Sequence, residues 1–190
     1  SSDLFDLSVI VVIQLAAFGY GLSAIAAARP AWLVYSGYRF DLDRMLAAAK
    51  ADTSIRMVFI ANPNNPTGTY LGASGLRKFL EATAALPNVF VVVDEAYNEF
   101  VRAEDFESVI PWTLEFEHLI VLKTFSKVFA MAGLRLGAMI AHPKIIEVYN
   151  RVRKPFNVNS FAQVAARVAI VDSEFVRETQ SLTWSGLDYF

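Results

Sequence analysis

Leu119-Ile120-Val121-Leu122-Lys123-Thr124-Phe125-Ser126-Lys127 carries the reading of this chain, because an apolar, β-branched run passes directly into hydroxyls and a lysine. The run predicts a strand, Leu119 to Leu122, that opens into the loop Thr124 to Gly137. A surface lysine usually has polar neighbours, whereas Lys127 follows a strand and precedes an apolar segment, so its ammonium is expected to be partly desolvated. Desolvation favours the neutral amine and makes it a usable nucleophile. Thr124, Ser126 and Arg135 are expected to clasp a dianion, since hydroxyls each donate one hydrogen bond and a guanidinium forks onto two phosphate oxygens. A reactive amine beside a phosphate clamp points to a phosphorylated carbonyl compound, of which pyridoxal 5'-phosphate is the obvious candidate.

Working outward, two further apolar runs end in polar groups in the same way. Arg56 to Ile60 precedes the turn Asn62-Pro63-Asn64-Asn65-Pro66-Thr67-Gly68, and Val89 to Val93 precedes Asp94-Glu95-Ala96-Tyr97. None of these runs alternates, which is how strands covered on both faces read. Helical stretches separate them. Asp41 caps a helix through Ala49, Leu76 to Leu86 has helical spacing stopped by Pro87-Asn88, and Val109 to Phe116 is expected to be a short helix despite Pro111. Earlier, Val9 to Ile13 and Trp32 to Tyr35 read as strands flanking a helix over Ala16 to Ala28. Later, Arg135 to Ala141 reads as a strand, Pro143 opens a helix to about Val152, and one long amphipathic helix is expected from Ser160 to about Thr183. The pattern predicts an α/β fold with a mostly parallel sheet and helices on both faces.

In such sheets ligands sit at the carboxyl ends of the strands, so Asn65, Asp94, Tyr97 and Lys127 are expected to converge. Asp94 would pair with a pyridinium nitrogen, and Tyr97 and Asn65 would reach the ring's phenolic oxygen. Plainer roles stand beside these: a snorkelling lysine, a helix cap and core aromatic for Asp94 and Tyr97, turn formation for Asn65, ordinary loop hydroxyls for Thr124 and Ser126. Glu95, Glu99, His118 and His142 have no assigned role, the acids being read as solvated or capping.

Composition narrows the class. At 190 residues and 55% apolar, the chain can bury a real core. A net charge of -2 without a basic cluster argues against nucleic acid as the main partner. The absence of cysteine excludes disulfides, thiolate zinc and a thiol nucleophile, and fits a cytoplasmic protein. The run Leu7 to Ala17 spans about half of a membrane helix, so no membrane partner is expected.

Asn62 to Gly68, Asp94 to Phe100, Thr124 to Gly137 and Pro155 to Asn159 together resemble the fold-type I pyridoxal-phosphate aminotransferases of class I/II, and within them the histidinol-phosphate aminotransferases. The resemblance runs from about Phe40 to Ala169. It implies that Lys127 holds the cofactor covalently and shuttles the proton, with Asp94 at the pyridine nitrogen, Tyr97 and Asn65 at the ring hydroxyl, and Thr124, Ser126 and Arg135 at the phosphate. It also implies phosphate contacts from Ser2 and Asp3 and an aromatic stack from Phe18, although Leu4 stands where the family has Glu and Ala16-Ala17 where it has Pro-Thr. Residues 1–159 correspond to a cofactor domain and 160–190 to a helix leading toward a small C-terminal domain. The resemblance places that small domain after Phe190 and an N-terminal arm before Ser1. No Arg here matches the one that binds the substrate α-carboxylate. The implied activity is amino transfer from an amino donor, histidinol phosphate, to 2-oxoglutarate, in a homodimer. Alternatives are an aromatic amino-acid aminotransferase, a threonine-phosphate decarboxylase, or a non-catalytic cofactor-binding module.

Overall fold

The computed structural model describes residues 35–36 and 39–189, all within one compact unit, Leu33–Phe190. The elements expected over Val9 to Ile13 and Ala16 to Ala28 lie outside the described residues. Two short strands, β1 (Tyr35–Ser36) and β2 (Arg39–Phe40), pair antiparallel. Asp41 then caps α1 (Leu42–Ala51), its carboxylate accepting from Arg44 N at 3.0 Å.

The central sheet has four strands in the order β3 (Met57–Ala61), β4 (Phe90–Asp94), β5 (Leu119–Thr124) and β6 (Gly137–Ala141). The pairs β3–β4 and β4–β5 are parallel, and β5–β6 is antiparallel. Helix α2 (Ala73–Ala84) crosses between β3 and β4. The mostly parallel α/β sheet expected from the apolar runs is what forms.

Strand alternation sends residues to two cores. Val58, Ile60, Val91, Val93, Leu119 and Val121 face one side, where Met45 of α1 and Leu76, Phe79 and Leu80 of α2 cover them. Val92, Ile120 and Ala141 face the other, packed by Ile145 and Ile146 of α3 (Pro143–Val152). On this second face Phe59 pairs with Val92 in register yet is 49% exposed. Each fully buried aliphatic contributes about 1.5–3 kcal/mol, so the first core, where Val91, Val93, Leu119 and Val121 are all 0% exposed, anchors the strand ends.

The short helix expected within Val109 to Phe116 forms as a 3-10 helix, Ile110–Leu114, with Pro111 in its first turn, where a missing N–H is tolerated. Two other expectations need correction. Arg135 does not begin a strand: it sits in the left-handed region at φ 55°, and β6 starts at Gly137. The single helix expected from Ser160 is two, α4 (Ser160–Ala169) and α5 (Ser173–Tyr189). Asp172 starts the second, its carboxylate accepting from Phe175 N at 3.0 Å, so a side-chain cap outcompetes helix continuation there. Both helices present exposed apolar residues, among them Phe161, Val164 and Val168 on α4 and Leu182 and Leu187 on α5. Among the described residues no helix is long and apolar enough to cross a membrane.

Candidate active site

The turn after β3 is built by two buried asparagines, leaving a third outside. Asn62 is 2% exposed; its amide donates to the Leu71 carbonyl at 3.1 Å and its oxygen accepts from Leu71 N at 2.7 Å. Its own N–H donates to the Asp94 carbonyl at 2.9 Å, which ties the turn to the end of β4. Asn64 donates to Thr67 Oγ1 at 2.6 Å, and Gly68 closes the turn at φ 68°, a conformation that favours glycine. Asn65, exposed, points its amide at the Tyr97 hydroxyl, which accepts at 2.8 Å.

Asp94 is the last residue of β4 and opposes Ala61 in register. Its carboxylate is exposed and accepts from Ala96 N at 3.0 Å, a contact that shapes the turn into Tyr97. A cavity of 240 Å³ is lined by Ala61, Pro63, Asn65, Asp94, Ala96 and Tyr97. A larger one, 830 Å³, opens beside Phe125, Arg153 and Arg167 and contains none of the expected site residues.

The loop after β5 is pinned at its neck. Thr124 pairs with Gly137, Phe125 N donates to the Leu136 carbonyl at 3.2 Å, and Phe125 and Val128 turn inward, 9% and 0% exposed. Anchoring those two apolar side chains leaves Lys127 facing out. The expectation of a partly desolvated ammonium is therefore not met: Lys127 is exposed, with Nζ 5.1 Å from the centroid of the Tyr97 ring. Thr124 Oγ1 accepts from Ser126 N at 3.0 Å and keeps its own proton for donation. Arg135, exposed, donates one guanidinium N–H to the Ala132 carbonyl at 2.9 Å.

The structure thus brings Asn65, Asp94, Tyr97 and Lys127 to one edge of the sheet and sets Thr124, Ser126 and Arg135 on the loop that carries the lysine. Ser2, Asp3 and Phe18 lie outside the described residues. Sequence reasoning missed Glu95 and Lys123. Glu95, expected to be solvated or a cap, is 1% exposed, and burial raises its pKa above the ordinary carboxylate value despite hydrogen bonds from Ser108 and Val109. The signal was available: Glu95 follows Val91 and Val93 in the inward register of β4, as Lys123 follows Leu119 and Val121 in β5. Among the described residues no three His, Asp or Glu side chains are grouped to hold a metal.

An arrangement of this kind, an amine and a carboxylate flanking a hydroxyl that an amide supports, suits an aromatic carbonyl ligand with a ring nitrogen. Comparison with known proteins agrees in kind. The model of the aminotransferase class I and II family matches residues 12–186. The histidinol-phosphate aminotransferase of Bdellovibrio bacteriovorus is 51% identical over 156 residues, 81% of this chain and 42% of that protein. Histidinol-phosphate aminotransferase 2 of Ralstonia nicotianae is 48% identical over 149 residues, covering 78% and 39%. Among solved structures, a histidinol-phosphate aminotransferase from Sinorhizobium meliloti in complex with pyridoxal-5'-phosphate superposes with a TM-score of 0.70 at 30% identity, covering 77% of this chain and 39% of that one. The chain therefore spans about two-fifths of the length of the curated relatives it matches. Matched along nearly its whole length, the chain belongs to the aminotransferase class I and II family.

Proposed function

We propose that this chain binds pyridoxal 5'-phosphate and forms the cofactor-binding part of an amino-group transferase. The carrying observation is the Asn65–Tyr97 hydrogen bond of 2.8 Å beside Asp94, with the Lys127 amine over the Tyr97 ring. The residues fit the cofactor chemically: a carboxylate for a ring nitrogen, a phenol and amide for a ring hydroxyl, an amine for an aldehyde, and hydroxyls with a guanidinium for a phosphate. When bound, the cofactor supplies the electron sink for carbon–hydrogen cleavage next to an amine.

The chain's own side chains then have separable tasks. Asp94 would keep a proton on the ring nitrogen, since a carboxylate facing it favours the cationic form. Asn65 and Tyr97 would orient the ring through its hydroxyl. Lys127 would hold the cofactor covalently and, once displaced by an amino substrate, would take and return a proton at the substrate α-carbon. Thr124, Ser126 and Arg135 would fix the phosphate. The amino donor we favour is histidinol phosphate, with 2-oxoglutarate as acceptor, in a cytoplasmic homodimer serving histidine biosynthesis. Support comes from relatives named for that substrate at 48–51% identity. In this reading residues 1–159 are the cofactor-binding part and 160–190 the connection toward a substrate-covering part of the whole enzyme.

The test is a titration of the purified chain with pyridoxal 5'-phosphate, followed by borohydride reduction and peptide mapping. A visible absorption band and a reduced adduct on Lys127 are expected. An adduct spread evenly over surface lysines would overturn the proposal.

A further inference from the structure

Two charged side chains occupy positions where the apolar pattern calls for aliphatics. Glu95 is next after Val91 and Val93 on the inward face of β4, and Lys123 is next after Leu119 and Val121 on β5. Asp94 opposes Leu122 in the parallel ladder, and Glu95 N donates to the Leu122 carbonyl at 2.9 Å, so the two meet at the carboxyl end of the core. The Glu95 carboxylate accepts from Ser108 Oγ at 2.7 Å, Val109 N at 2.7 Å and Asn98 Nδ2 at 3.0 Å. The Lys123 ammonium, on a side chain 13% exposed, donates to the Glu95 carbonyl at 3.1 Å, to Glu99 Oε1 at 2.5 Å and to the Asn98 side-chain oxygen. Asn98 therefore bridges the buried acid and the half-buried base.

Stability alone does not account for such a cluster, because well-packed apolar residues in place of a buried ion pair are often neutral or stabilising. Its geometric effect is specific. The network fastens the segment 95–99, which carries Tyr97, to β5 one residue before Thr124 and four before Lys127. We propose that Glu95 and Lys123 are positioning residues, holding the Tyr97 ring in place over the Lys127 amine; this rests on Lys127 being the functional amine. Asp94 and Glu95 then divide one β-turn between them, the first serving the ligand side and the second locking the turn from behind.

The experiment is competitive acetylation with trace acetic anhydride, without added cofactor, read as the labelling of Lys127 relative to exposed Lys50 and Lys78. Loss of the cation–π contact should raise the Lys127 ratio about 2- to 5-fold in Lys123→Met and Glu95→Ala. Glu95→Gln can keep Val109 and Ser108 as partners but turns its NH2 toward the Asn98 amide and loses that bridge, so its ratio should rise less than in Glu95→Ala. A melting temperature that falls with an unchanged Lys127 ratio would overturn the proposal, leaving only a stabilising role. Should the first two variants fail to fold, Ser108→Ala removes a single donor; an unmoved ratio there overturns the proposal equally. Borohydride-fixed pyridoxal 5'-phosphate on Lys127 of the parent chain is scored separately, so failure of the functional reading and failure of the positioning role give different results.

Discussion

Arg135→Gly is expected to strengthen the fold while weakening the cofactor site. Arg135 follows the short 3-10 helix Ala132–Leu134 at φ 55° and ψ 50°, a left-handed conformation that costs a residue with a Cβ about 1–2 kcal/mol and glycine almost nothing. Against that relief stands the exposed hydrogen bond from its guanidinium to the Ala132 carbonyl, about 0.5 kcal/mol in so open a position, and the extra chain entropy of an unfolded glycine, up to about 1 kcal/mol. The balance runs from a loss of about 0.5 to a gain of about 1.5 kcal/mol, centred on a small gain, or up to about 6 °C in melting temperature for a unit this size. Loss of a forked guanidinium–phosphate contact costs about 2–4 kcal/mol in binding, a 30- to 1000-fold rise in the Kd for pyridoxal 5'-phosphate. Ala130→Gly is the matched control, since Ala130 lies in the same loop at φ 54° and carries no ligand role. It should gain comparable stability with an unchanged Kd. Urea unfolding and absorbance titration give the two quantities independently. An Arg135→Gly variant with parental cofactor affinity would refute the phosphate assignment, and one destabilised by more than about 1 kcal/mol would refute the strain argument.

Lys127→Ala should abolish the borohydride-fixed adduct while retaining weak, reversible binding through Thr124, Ser126 and Arg135, as equilibrium dialysis would register. Leu80→Ala, at a position 0% exposed between α2 and the sheet, should cost about 2–5 kcal/mol in urea unfolding. Burial lowers the pKa of His118 below its ordinary value of 6.5, so the neutral ring's contribution is present above that pH and is lost as pH falls below it. Stability measured from pH 7.5 to 5 should therefore decline less steeply in His118→Gln than in the parent. The exposed Phe161, Val164 and Leu182 predict concentration-dependent self-association in sedimentation velocity, which Val164→Lys and Leu182→Lys together should reduce.

The three parallel strands and the polar groups at their carboxyl ends were legible because apolar runs without alternation admit few other readings, and each run is followed at once by its polar group. Asn65, Tyr97 and Lys127 could be named because a polar residue just past a buried strand has little choice of edge. What the sequence concealed was tertiary. Lys127 reads as partly desolvated by its neighbours, yet Phe125 and Val128 take the inward places and leave it outside. The break between α4 and α5 was hidden by an apolar spacing that runs on through Val168, Ile170 and Val171, although Asp172 carried a cap signal that was passed over. Glu95 and Lys123 are the exception: a charged residue at a strand end reads as solvent-facing, although the inward spacing of Val91 and Val93, and of Leu119 and Val121, runs on to them.

The antiparallel pairing of β5 with β6 has a kinetic meaning. Parallel neighbours such as β3 and β4 meet only after a crossover through α2, whereas residues 125–136 close on themselves once Thr124 finds Gly137. Closing a loop of that length costs about 2 kcal/mol in chain entropy beyond a constant, far less than the ladder of five residue pairs can return. The segment 119–141 can accordingly form as a local hairpin before the long-range sheet is complete. Native-state hydrogen exchange should then find the Phe125 and Met131 amides, which donate to the Leu136 and Phe125 carbonyls, opening together with β5 and not with α2.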